Sequence, residues 1–91
     1  MKRARVRWLT KAEGGRDEPP TGEQYVTVAR FQDPAGDWSS DGWSVVLRFS
    51  GDRQHAEVGF LVPEAPEHLL RERIEFELYE GAKKVAEVTV L

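Results

Sequence analysis

Alternation of apolar and polar residues with a period of two dominates this chain, and that period is the signature of extended strands with one face buried. Ala4, Val6 and Trp8 share one face of the first segment, with Arg3, Arg5 and Arg7 on the other. Tyr25 to Phe31 is rich in β-branched and aromatic residues. Trp43, Val45, Leu47 and Phe49 align in a third segment, with Ser44 and Arg48 opposite. Ala56, Val58, Phe60 and Val62 align in a fourth. Ile74, Phe76 and Leu78 face inward in a fifth, with Arg73, Glu75 and Glu77 outward. Ala86, Val88 and Val90 face inward in the last, with Glu87 and Thr89 outward. Turn-forming residues bound each segment: Gly14-Gly15 and Gly22, Asp33-Pro34-Ala35-Gly36 and Asp41-Gly42, Ser50-Gly51-Asp52, and Glu80-Gly81-Ala82. Pro66 to Glu72 is expected to form a single helical turn.

Six one-faced strands must bury their apolar sides together, and closing the sheet also removes its exposed edges. The expected fold is all-β: a small six-stranded antiparallel β-barrel, with a two-sheet sandwich as the alternative. At 91 residues the chain reads as one domain, 1–91. It contains no cysteine, so packing rather than disulfides or thiolate-bound zinc must hold it together. No apolar run approaches the roughly 18 residues of a membrane span. Lys2, Arg3 and Arg5 are not followed by a secretory apolar stretch. The expected location is the cytoplasm, with no membrane partner.

Net charge is −3, which argues against a molecule attracted to nucleic acid as a whole. The charge is uneven. Residues 1–16 carry six cations against Glu13, and residues 64–80 carry six glutamates against Arg71 and Arg73. Direct pairing of these two strands in one sheet is the simplest reading of that contrast. The stripe Arg3, Arg5, Arg7 with Lys11 and Arg16 is also the best candidate for a binding surface, since alternate strand residues repeat every 6.8 Å or about twice the strand rise. Trp38, in a polar loop, is a candidate anchor for a protein partner or a cap on the barrel end. His55 and His68 lack metal-ligand spacing, and Ser39, Ser40, Ser44 and Ser50 lack the G-x-S-x-G setting of a nucleophile. No catalytic constellation is present, so the chain is expected not to be an enzyme and to need no cofactor.

Ala4-Arg5-Val6-Arg7-Trp8-Leu9-Thr10-Lys11-Ala12-Glu13-Gly14-Gly15-Arg16 followed by Pro19 resembles the opening of the C-terminal β-barrel domain of elongation factor Tu, A-x-V-x-x-L-x-K-x-E-G-G-R-x-x-P, without a gap. Thr21-Gly22, then Arg30, Asp33 and Gly36, fall at similar spacing. Phe76 to Ala86 looks like the last hairpin of that domain, keeping Glu80 and Gly81 and a cation at Lys83. The chain departs at Glu23-Gln24-Tyr25, where the family has Y-R-P, and at Tyr79, where it has arginine. The resemblance implies this barrel as a small protein by itself. It implies docking to a protein partner such as a translation GTPase through the Gly-Gly-Arg loop, Trp38 and the last hairpin. The alternative it implies is an RNA-binding module using Arg5, Arg7, Lys11, Arg16 and Lys83 on a tRNA-like arm. No G-x-x-x-x-G-K-S/T loop occurs, so no nucleotide binding of its own is expected.

Overall fold

A computed structural model describes residues 1–39 and 41–91; Ser40, one of the serines weighed above, lies outside them. The strands are Lys2–Trp8 (β1), Gln24–Arg30 (β2), Trp43–Phe49 (β3), His55–Phe60 (β4), Glu75–Glu80 (β5) and Lys83–Val90 (β6). They close into a barrel in the order β1-β4-β3-β2-β5-β6, and every neighbouring pair is antiparallel. Closure excludes the sandwich.

The alternation is realised in the core. Ala4 and Val6, Val45 and Leu47, Ala56 and Val58, Phe76 and Leu78, and Val88 and Val90 all fill the interior. Aromatic rings close both ends. At one end Trp8 meets Tyr25 edge-on at 5.5 Å and Phe49 at 6.1 Å. At the other, Phe31 lies 4.6 Å from Phe76 and 6.0 Å from Phe60, which in turn meets Trp43. The helical turn is a 3-10 turn at Glu67–Leu70, and it delivers Leu70 to this second aromatic end as a fully buried plug.

Four details depart from the sequence reading. β4 stops at Phe60, so Val62 sits in the following turn and is exposed. Glu77 points outward yet is only 8% exposed, because Lys84 and Tyr79 lie over it. A register shift between Leu78 and Tyr79 lets Val85 and Ala86 both be buried. The basic β1 does not pair with the acidic β5. It lies between β4 and β6, where Arg3 faces Glu57 and Arg7 faces Glu87. No helix of the described residues is long and apolar enough to cross a membrane.

Candidate functional site

The end where β1 finishes is capped by the loop from Leu9 to Glu23, and local chemistry folds that loop. Thr10 and Glu13 form a capping box: the Thr10 hydroxyl accepts from the Glu13 amide at 3.3 Å, and the Glu13 carboxylate accepts from the Thr10 amide at 2.9 Å. The 3-10 turn Lys11–Glu13 ends at Gly14, whose φ of 87° is open to glycine and strained for other residues. Gly15 then passes so close to Leu9 that a Cβ would stand 2.2 Å from the Leu9 carbonyl oxygen. The Gly-Gly pair therefore does two jobs, a left-handed turn and a close crossing.

Beyond it the loop is tied down by side chains. Arg16 and the Tyr25 hydroxyl both donate to the same oxygen of Glu80. Arg53, from the β3–β4 connection, forks onto the Gly22 carbonyl at 2.6 Å and the Thr21 carbonyl at 3.0 Å. Its guanidinium also lies 4.7 Å above the Phe49 ring, and its own carbonyl accepts from the Trp8 indole at 2.6 Å. The loop thus rests on the Trp8–Tyr25–Phe49 cluster and is held in place from two sides.

The electrostatics follow the contacts. Burial pushes the Tyr25 phenol up, and its hydrogen bond to Glu80 adds to this, giving a pKa of about 12. Burial works to raise Glu80, but the hydrogen bonds from Tyr25 and Arg16 outweigh it and hold the carboxyl below its ordinary value. Burial likewise opposes the charge on Arg16, and Glu80 restores it with a margin. The Glu87 and Glu13 carboxylates raise Arg7, while the Thr10 amide and then Arg7 lower Glu13.

The candidate residues divide into three groups. Arg7, Lys11, Arg16, Glu80, Gly81 and Lys83 gather at the loop-capped end, with Glu80 and Lys83 paired across the two-residue turn that Gly81 opens with φ 63°. Arg7 is held by Glu87 at 2.8 Å and Glu13 at 3.3 Å, Arg16 by Glu80, and Lys11 stands 3.8 Å from Asp17. Arg5 stands on the outer wall and borders a cleft of about 680 Å³ between β1, β6 and the loop, with Leu9, Pro19 and Thr89 among its walls. Trp38 is elsewhere. It bridges Gln32 in the β2–β3 connection, at the opposite end of the barrel, and is 41% exposed. A strand of six or seven residues separates the two ends by roughly 20 Å.

Arg53 and Tyr25 were missed as site residues. Arg53 is one cation in a short hairpin, and only the folded barrel brings the carbonyls of Thr21 and Gly22 within its reach. Among the described residues no group of three or more histidines and carboxylates is placed to hold a metal. No family model, curated protein or solved structure matches the chain.

Proposed function

We propose that the chain is a non-catalytic binding module that docks a protein partner through the loop-capped end, in the manner of the elongation factor Tu barrel it resembles in sequence. The partner class suggested by that resemblance is a translation GTPase in the cytoplasm. One observation carries the reading: the loop is held rigid by Arg53 and by the Arg16–Glu80–Tyr25 cluster before any partner arrives. A surface ordered in advance loses little entropy on binding, which favours a defined protein contact. The cations there are also largely spent on internal carboxylates, which weakens their use against phosphate. Trp38, at the far end, does not belong to this surface.

RNA binding is the second reading. Arg3, Arg5 and Lys83 favour it, since among the described residues they join no ion pair. Capture from a bacterial lysate with and without nuclease separates the two. A protein partner survives nuclease, is lost with Lys83→Glu or Arg53→Ala, and is kept with Trp38→Ala. RNA bound through three phosphate contacts weakens with salt at a log–log slope of about −2. Loss of capture in Trp38→Ala alone would overturn the assignment of the surface to the loop-capped end.

A further inference from the structure

The outer wall over β2, β3 and β4 carries an apolar patch that the barrel itself does not use. Its side chains alternate with the buried Thr27, Ala29, Val45, Leu47 and Val58. Val26 is 52% exposed and stands opposite Val46, which stands opposite Gly59. Met1 lies across that glycine, its Cγ 3.1 Å from where a Cβ would be. In the next row Val28 faces Ser44, whose carbonyl accepts from the amide of Leu61 at 2.9 Å; the Leu61 side chain is 55% exposed. On the other side of the valine row, Gln24, Arg48, Glu57 and Arg3 face one another in that order. Among the described residues neither Arg48 nor Glu57 joins an ion pair.

We propose that this wall is a self-association face, on which two copies of the chain pack about a two-fold axis along the β3–β4 seam. Such an axis lays β3 of one copy over β4 of the other. Arg48 of each copy then meets Glu57 of its mate, Val46 sits over the bare backbone at Gly59, Leu61 covers Ser44, and Val26 meets Met1. One repeated surface thus satisfies itself, as a two-fold interface requires. Turning the second copy end for end sets Arg48 over Ser44 and Glu57 over Leu61, charge against uncharged surface, so charge selects the first arrangement. The wall of a six-stranded barrel is convex, so two copies meet along the seam and not over a broad flat face such as the roughly 800 Å² per partner of a standard stable interface. The dimer is therefore weak and depends on concentration.

Sedimentation velocity over an approximately hundredfold range of concentration tests this, with an expected shift from one to two chain masses. Val26→Lys removes the shift. Arg48→Glu and Glu57→Arg each weaken self-association by about tenfold or more, as like charges then face each other. An equimolar mixture of those two variants regains it, because each now meets its opposite across the axis. That rescue separates contact between copies from the cross-strand contact within one barrel, which mixing leaves unchanged. Should either charge variant fail to fold, the wild type against Val26→Lys decides. A wild type that stays monomeric throughout, or folded charge variants that do not rescue each other, overturns the proposal.

Discussion

Glu80 shows how much one side chain can hold. Its carboxylate accepts from Arg16 and from the Tyr25 hydroxyl, so the loop, the start of β2 and the end of β5 meet at one group. Arg16 and Glu80 are each about a third exposed, at 32% and 34%, and water screens part of the attraction. Glu80→Gln is expected to cost about 1 kcal/mol in chemical denaturation. The pH dependence has a definite sign. The folded value of Glu80 is lowered, so its contribution is complete above the ordinary carboxylate range and is lost as pH falls through the lowered value. The stability difference between wild type and Glu80→Gln should therefore shrink on acidification. Tyr25 acts at the other limit. Its folded pKa is raised to about 12, so its contribution is complete below the ordinary tyrosine value and fades as pH rises from there through about 12. Alkaline titration at the tyrosinate absorbance should show late ionisation of Tyr25, moved earlier by Tyr25's loss of its partner in Glu80→Gln.

At the scale of elements, the opening loop distinguishes its two glycines. A Cβ at Gly14 meets nothing within 4 Å, so Gly14→Ala bears only the left-handed backbone, about 1 kcal/mol. A Cβ at Gly15 runs into the Leu9 backbone, and Gly15→Ala should cost more, roughly 2–3 kcal/mol, with the loop displaced. Paired thermal melts check the order. The strands themselves were legible from the sequence because a period of two is local: β1 and β3 match their inward and outward sets residue by residue. Two of the failures share a physical reason, since they depend on pairing across the β5–β6 hairpin rather than on periodicity within one strand. Glu77 is covered by Lys84 from β6, and Val85 turns inward as the extra residue of a bulge in β6 itself, between the pairs Leu78–Ala86 and Tyr79–Lys84. In the candidate site the Gly-Gly-Arg loop and the last hairpin were legible from turn chemistry, whereas the Arg53 fork was not.

At the scale of the molecule, strand order was the least legible feature. The contrast between a basic first segment and an acidic fifth suggested a direct pair, yet β6 stands between them. Charges instead alternate around the outside: Arg7 to Glu87, Glu87 to Lys84, Lys84 to Glu77, with Arg30 stacked on Tyr79 beyond. Pairs such as Ala4 with Val90 join residues from the two ends of the sequence, so refolding should be slow for this size, in the millisecond to second range by stopped-flow fluorescence of the tryptophans. The same closure has a consequence during synthesis. A chain emerging from the ribosome exposes β1 with one side bare, and β5 likewise, until β6 arrives to bridge them. Until β6 joins, β1 and β5 each offer an unpaired edge to a neighbouring chain, so protection of the sheet waits on the eight residues of β6.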